Sequence, residues 1–374
     1  MHIVQIAPAI APGSGVAMVA FALERELIAA GATVERFTLE DARGRPARAH
    51  RSRLGHAWDV VWFSTIGTAR AKRFMAQRPE AVAICHNDAM TGDIYVNHGL
   101  LPAAMRARGN YAWRMVRNPL HLFTAVRDRI RYRGHVHRAI VALSTTESDL
   151  LRREYGSISA PISVIGNGVD LERFHPSSAE ERALGRRHLG IPDDAYVVIF
   201  IGNEFERKGL PLVIDALPSL ADDVMLLVVG GTDAMITQAR GHAARVAASD
   251  RVIFAGAHAD VAPFLSTADV FALPSAYESS GLVFLEALAS GLPLVATRVG
   301  VAPTVITEGI NGYLIDRDLT QVGDRLERIA AQSSGAYTTA ARTSVADYSW
   351  AAIAQQYLAL ANRIAAERPA AVDS

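Results

Sequence analysis

Short apolar runs alternate with longer amphipathic segments along nearly the whole of this 374-residue chain. A brief run with no polar alternation is buried on both faces if it forms a strand, and helical segments between such runs supply the crossovers a parallel sheet needs. An α/β chain built on parallel sheets is therefore expected. In the first half, strands are expected near His2–Ile6, Thr33–Phe37, Val60–Phe63, Ala81–Cys85, Ile94–Asn97, Ala139–Ala142 and Ile162–Ile165. In the second half they are expected near Val197–Ile201, Met225–Val229, Val252–Phe254, Val270–Leu273, Leu294–Ala296 and Gly312–Ile315. Between the halves, Gly166–Pro176 is rich in turn formers and ends on a proline. The expected domains are 1–166 and 167–350, both Rossmann-like, followed by a helix over about 351–374 with helical apolar spacing.

Half of the residues are hydrophobic, enough for two ordinary cores. The formal net charge is zero, which argues against a protein that mainly binds nucleic acid. Cys85 is the single cysteine, so neither an internal disulfide nor a cysteine zinc site can form, and a reducing, cytoplasmic compartment is the simplest setting. The start, Met1-His-Ile-Val-Gln-Ile-Ala-Pro, reads as a first strand rather than a signal peptide. No apolar run approaches the ~20 residues that span a bilayer, so a soluble or peripheral chain is expected.

The most specific chemistry lies between Glu278 and Thr297. From Gly281 to Thr297 the only charged side chain is Glu286, set in an apolar helix that Gly291-Leu-Pro293 ends. A carboxylate there is costly to bury unless something hydrogen-bonds to it, as a hydroxyl-rich ligand would. Glu278 follows the apolar strand Val270–Leu273, so both carboxylates can face the carboxyl edge of a parallel sheet, where open α/β folds bind ligands. Ser280, Gly281 and Leu282 would open the helix between them, and a helix N-terminus favours anions. Taken alone, each Glu is equally explained as a helix-terminal or salt-bridged core carboxylate.

Glu278-x7-Glu286 followed by Ala287-x-Ala-Ser-Gly291-x-Pro293 resembles the signature of the family 4 glycosyltransferases, whose fold is GT-B. The stretch Asn167-Gly-Val-Asp170-x-x-x-Phe174-x-Pro176 resembles the family's interdomain segment. The resemblance implies two Rossmann-like domains, a last helix that returns to the first domain, and retaining transfer from a nucleoside-diphosphate sugar of UDP-sugar or GDP-mannose type. It implies Glu286 on the ribose, Glu278 near the donor sugar, and the N–H groups of Ser280, Gly281 and Leu282 near sugar and diphosphate. Arg207 and Lys208, in Asn203-Glu-Phe-Glu-Arg-Lys208-Gly209, resemble the family's diphosphate-binding cations, and a compact ammonium beside a forked guanidinium suits that task. Asn203 stands where many members carry an arginine, and Thr304 where a Gly-Gly-x-x-Glu motif usually places Glu.

In the first domain, Gly13-Ser14-Gly15 resembles the family's Gly-rich loop, with Gly15 facing the donor. It also carries part of a dinucleotide fingerprint, since Glu35 lies about twenty residues on, but Met18 stands where close packing wants Gly or Ala. His98, in His98-Gly99, resembles a family histidine near the donor sugar and the attacked bond; a lone histidine is as often structural. His86 and Asp93 are weaker acceptor-side residues. Asp316-Arg-Asp318 reads as a surface loop, and neither an essential metal nor a cofactor is expected. From Gly99 to Arg138 there are nine arginines against Asp128 alone, a strip that fits either a solvated helical face or an anionic membrane, such as the inner face of the cell membrane. The partners expected are a nucleotide sugar and a saccharide, lipid or small-molecule acceptor, as in polysaccharide or glycolipid biosynthesis, with no nucleic acid. Three other readings stay open: a nucleotide-sugar epimerase of the same fold, an NAD-dependent oxidoreductase, and a non-catalytic saccharide-binding protein.

Overall fold

The structure, a computed structural model, describes residues 1–13, 15–44, 53–332 and 335–368. Ser14 of the first Gly-rich loop and the end of the C-terminal segment, 369–374, lie outside the described residues. The chain divides into two compact units, Met1–Asn167 with Trp350–Ser374, and Gly168–Ser349.

The first unit holds β1 (His2–Ile6), β2 (Thr33–Phe37), β3 (Val82–His86), β4 (Ile94–Asn97), β5 (Ala139–Ala142) and β6 (Ile162–Val164) in the order β2-β1-β3-β4-β5-β6. Every pairing is parallel. β3, β4 and β5 are buried along their whole length, which is why their sequences are nearly continuous apolar runs. The order reverses between β1 and β3, the position where open α/β sheets form a crevice. Helix Trp350–Ala366 belongs to this unit. It buries Ile353, Ala354, Tyr357, Leu360, Ala361 and Ile364 on one stripe, next to helix Gly15–Ala29. Around it, Arg138 donates to Ile364 O at 3.0 Å, and Arg368 donates to Ala81 O and Asp93 Oδ2, each at 2.8 Å.

The second unit holds β7 (Tyr196–Ile201), β8 (Val224–Val229), β9 (Val252–Gly256), β10 (Val270–Leu273), β11 (Leu294–Thr297) and β12 (Gly312–Ile315) in the order β12-β11-β10-β7-β8-β9, all parallel. Its order reverses between β7 and β10. One large apolar cluster fills both faces of this sheet. The Asn167–Pro176 segment joins the unit through a bridge from Val169 to Ser349, with Val169 N donating to Tyr348 O at 2.7 Å.

The expected strand Val60–Phe63 is a correction. Residues Arg53–Trp62 form an α-helix that runs into a π-helical turn, Phe63–Gly67, and then helix Thr68–Ala76. A four-residue apolar run has no period of its own, so the flanking helical pattern decided it. Thr68 Oγ1 donates to Ser64 O at 2.9 Å and satisfies one of the turn's loosened carbonyls.

Candidate active site

Two loops leave the carboxyl ends of the adjacent strands β7 and β10 at the switch point of the second sheet. The first, from Gly202, holds the short helix Phe205–Lys208; the second runs from Pro274 to Gly281 and opens helix Leu282–Ala289. Their backbones touch. Ala276 N donates to Arg207 O at 2.8 Å, and a Cβ at Gly209, whose φ is +83°, would lie 2.3 Å from Pro274 O. Glycine is required there on both conformational and steric grounds.

This contact brings Arg207, Lys208 and Glu278 together from positions seventy residues apart in the sequence. Lys208 Nζ donates to Glu278 Oε1 at 2.7 Å, Ser275 Oγ donates to the same oxygen at 3.0 Å, and Arg207 Nη1 lies 3.5 Å from it. Arg207 also donates to Tyr277 O, and its Nη2 stands 3.2 Å from Glu204 Oε1. These three side chains are only 12–14% exposed, so the charges act on one another with little solvent screening. Arg207 and Lys208 thus meet two carboxylates, Glu278 and the more exposed Glu204, and the four charges stand beside the opening of a helix.

That helix starts at Gly281, whose φ of +79° is left-handed and whose added Cβ would meet the Phe284 ring at 2.5 Å. No side chain caps it. Helix N–H groups in the first turn lack intrahelical partners, so those of Leu282 and Val283 open on the loop. The Ser280 hydroxyl is buried with no hydrogen-bond partner, while its carbonyl accepts from Val301 N at 2.8 Å. Glu286, on the same helix, is half-buried, and no hydrogen bond reaches its carboxylate among the described residues. Burial pushes its carboxyl up to about 7, against the pull of the Arg173 guanidinium; Asp260 adds to the rise and the Lys208 ammonium opposes it. A carboxyl raised this far by burial, close to a cluster of ion-paired side chains, is a common mark of a functional site.

At the two departures from the family pattern the structure shows local packing contacts. Asn203 Oδ1 accepts from Gly231 N at 3.1 Å and so joins the loops after β7 and β8. Gly300, four residues before Thr304, packs its backbone against Ser280. Asp318 caps helix Leu319–Ala330 by accepting from Gln321 N at 3.0 Å, and Asp316 accepts from the Gln321 side chain at 3.4 Å. Among the described residues no group of three or more His, Cys, Asp or Glu is placed to hold a metal ion.

In the first unit, a hydrogen-bonded row crosses the β1–β3 switch point. Gln5 Nε2 donates to Ala20 O at 3.0 Å, Gln5 Oε1 is 2.9 Å from His86 Nε2, and His86 Nδ1 is 2.9 Å from His98 Nε2. The amide's NH2 is committed to a carbonyl, so its oxygen accepts from His86 Nε2–H. His86 Nδ1 must then accept from His98 Nε2–H, which leaves His98 Nδ1 with a free lone pair. Burial holds His86 well below the usual imidazole range and His98 down to about 3, so both rings are neutral at physiological pH. His98 can accept a hydrogen bond from a hydroxyl but is a weak proton acceptor.

The two weaker acceptor-side residues, His86 and Asp93, have structural partners. His86 is completely buried and reaches a ligand only through His98. Asp93 precedes β4 while His98 follows it, roughly 16 Å away along extended chain. Its Oδ2 accepts from Ala83 N at 2.9 Å and Arg368 at 2.8 Å, which are structural partners. Gln5 was missed, although a glutamine inside the apolar run Ile3–Ile6 is a signal for a buried polar network. Gly15 opens helix Gly15–Ala29 with φ +69°. Glu35, the acid of the dinucleotide pattern, is held by both oxygens on Arg78 Nε, each at 2.9 Å, and by His2 at 2.8 Å. Cys85 donates its thiol to Ala89 O at 3.3 Å, and burial pushes the thiol up to about 12.

The family described as Glycosyltransferase Family 4 matches residues 13–173, and that described as Glycosyl transferases group 1 matches residues 195–332. The chain belongs to glycosyltransferase family 4. The D-inositol 3-phosphate glycosyltransferase of Xylanimonas cellulosilytica is 38% identical to this family 4 chain over 189 residues, 48% of this chain and 45% of that protein. That of Salinispora arenicola is 34% identical over 230 residues, 56% of this chain and 51% of that protein. The chain thus spans about half the length of these curated relatives. Among solved structures, sucrose-phosphate synthase from Thermosynechococcus elongatus superposes with a TM-score of 0.77 at 22% identity, covering 98% of this chain and 100% of that one. WaaG, a glycosyltransferase of lipopolysaccharide biosynthesis, gives 0.74 at 19% identity over 97% of this chain and 99% of its own. Anabaena HepE in complex with UDP and glucose gives 0.69 at 18% identity over 96% and 99%. At these identities the likeness is one of fold, and the fold of this family 4 chain is GT-B.

Proposed function

We propose that this protein transfers a sugar from a nucleoside-diphosphate sugar, of UDP-sugar or GDP-mannose type, to an acceptor hydroxyl with retention of anomeric configuration. The observation that carries the reading is the cluster of Lys208, Arg207 and Glu278 at the β7–β10 switch point, beside an uncapped helix start and the Glu286 carboxyl. In this reading Arg207, Lys208 and the N–H groups around Ser280, Gly281 and Leu282 hold the diphosphate, and the two cations supply its counter-charge without a metal. Glu286 receives the ribose hydroxyls, which would satisfy its unbonded carboxyl. Glu278, anchored by Lys208 and Ser275, faces the sugar. Gly15 and the acceptor belong to the first unit, where the Nδ1 lone pair of His98 orients a hydroxyl. As the glycosidic bond breaks, negative charge grows on the leaving diphosphate; Arg207 and Lys208 neutralise it, and its oxygen takes the proton of the attacking hydroxyl. Each such contact is worth about 2–4 kcal/mol in the transition state. The HepE structures with UDP, glucose and UDP-glucose support the donor class. A cavity of about 630 Å³ in the second unit, walled by Arg173, Asp260 and Phe264, includes none of Arg207, Lys208, Glu278 or Glu286, and we do not place the diphosphate there.

Calorimetric binding of UDP, GDP, ADP and NAD to the protein and to folded Lys208→Ala and Glu286→Ala variants tests this directly. One nucleoside diphosphate should bind, and Lys208→Ala should weaken it by roughly thirty-fold or more, since a charged hydrogen bond contributes about 2–3 kcal/mol. Binding of NAD alone, or diphosphate binding that ignores both substitutions, contradicts the reading. Release of a sugar product only when an acceptor is present, with D-inositol 3-phosphate the first to try, separates transfer from epimerisation.

A further inference from the structure

Helix Pro119–Arg133 is built inside out. Its inward face carries Arg127, Asp128, Arg131 and Tyr132, all buried. Asp128 Oδ1 accepts from Arg127 Nε at 3.0 Å and Arg131 Nη1 at 2.8 Å; Arg127 also reaches Asp88 at 2.7 Å, and Arg131 donates to Tyr95 Oη at 3.1 Å. Its outward face carries Leu122, Val126 and Ile130, four residues apart and therefore in one row. These are 47%, 60% and 53% exposed. On the adjoining helix Tyr111–Arg117, Trp113 is 56% and Val116 72% exposed. An exposed single Leu is ordinary, but a row of large apolar side chains on a helix that buries Arg127, Asp128 and Arg131 is not.

The cations on this face define what would cover it. Arg129 falls three residues from Val126 and is exposed, whereas the Arg133 guanidinium donates to Tyr155 O at 2.8 Å and is held against the fold. The Arg117 guanidinium stands 4.6 Å from the centre of the Trp113 ring. The only acid between Gly99 and Arg138 is Asp128, which is buried and paired. The neighbouring helix Arg53–Trp62 adds Leu54 and Trp58, four residues apart, 84% and 64% exposed; its one acid, Asp59, is paired with Arg43. A surface with exposed aliphatics, tryptophans and arginines but no free carboxylate is complementary to a layer that is anionic outside and apolar beneath.

We propose that helices Tyr111–Arg117 and Pro119–Arg133 form a docking face for an anionic lipid bilayer. The apolar row enters the headgroup boundary while Arg117 and Arg129 meet lipid phosphates. This inference is independent of the nucleotide site. Flotation of the whole protein with vesicles of phosphatidylglycerol and phosphatidylcholine, against phosphatidylcholine alone, tests it. Binding is expected to the anionic vesicles only and to fall at least five-fold between 0.1 and 0.5 M salt, roughly as exposed charges are screened. The triple variant Leu122→Ser, Val126→Ser, Ile130→Ser should lose at least ten-fold in vesicle binding with an unchanged melting temperature, and Arg117→Glu with Arg129→Glu should lose a similar amount. Absence of vesicle binding overturns the proposal, as does binding unaffected by the serine triple. So does a concentration-dependent dimer, abolished by the triple, in a protein that ignores vesicles, which would assign the face to a second copy of the chain.

Discussion

Single side chains at the candidate site are tuned by burial more than by partners. Glu286 shows this most clearly. A carboxyl raised from 4.5 to about 7 in the fold binds its proton more tightly there than in the unfolded chain. Between those values the folded protein carries more protons, so this group's effect on stability becomes less favourable as pH rises from about 4.5 to about 7. Glu286→Gln removes that dependence. The variant should be more stable than the parent at pH 8 by about 1–2 kcal/mol, with the advantage gone near pH 4.5, while nucleotide binding weakens. Melting temperatures at the two pH values check this; an equal offset at both would mean that the carboxyl titrates normally. Glu286 is visible in the sequence because a charge inside an apolar run stands out, and Glu278 because it follows an apolar strand eight residues before Glu286. The Gln5–His86–His98 row is not, because the three residues come from strands or strand ends distant in sequence, and only sheet pairing sets Gln5 beside His86.

At the level of elements, helix Pro119–Arg133 shows how a correct count can hide a division of roles. The arginine-rich strip is one feature in the sequence, yet Arg127 and Arg131 point into a buried ion network while Arg117 and Arg129 face outward. Removing one member of such a network strands the others without solvent. Asp128→Ala should therefore cost about 3–5 kcal/mol in urea unfolding, far more than the ~1 kcal/mol of an exposed pair. A loss below ~1 kcal/mol would show that solvent reaches Arg131. The helix replacing the expected strand at Val60–Phe63 has a related cause. A short apolar run satisfies either period, and the helical segments that flank it make the choice.

Across the whole molecule, helix Trp350–Ala366 completes the first unit although the second unit's sequence intervenes. It buries Tyr357, Leu360 and Ile364, each worth about 1.5–3 kcal/mol, against a net stability that for a domain is about 5–15 kcal/mol. A chain ending at Ser349 should lose the first unit's calorimetric transition, or melt it at least ten degrees lower, while the second unit's transition persists. An unchanged thermogram would show that the helix is dispensable. The sequence alone determined the α/β class, the break near Gly166–Pro176 and the identity of the charged residues after β7 and β10, because strand burial, turn chemistry and isolated charges leave local marks. Only the tertiary structure decided which of those residues meet: strand order placed β7 beside β10 and so set Lys208 on Glu278 across seventy residues. It likewise put the arginines of one helix on opposite faces, since sheet order and helix facing are set by the packing of distant segments.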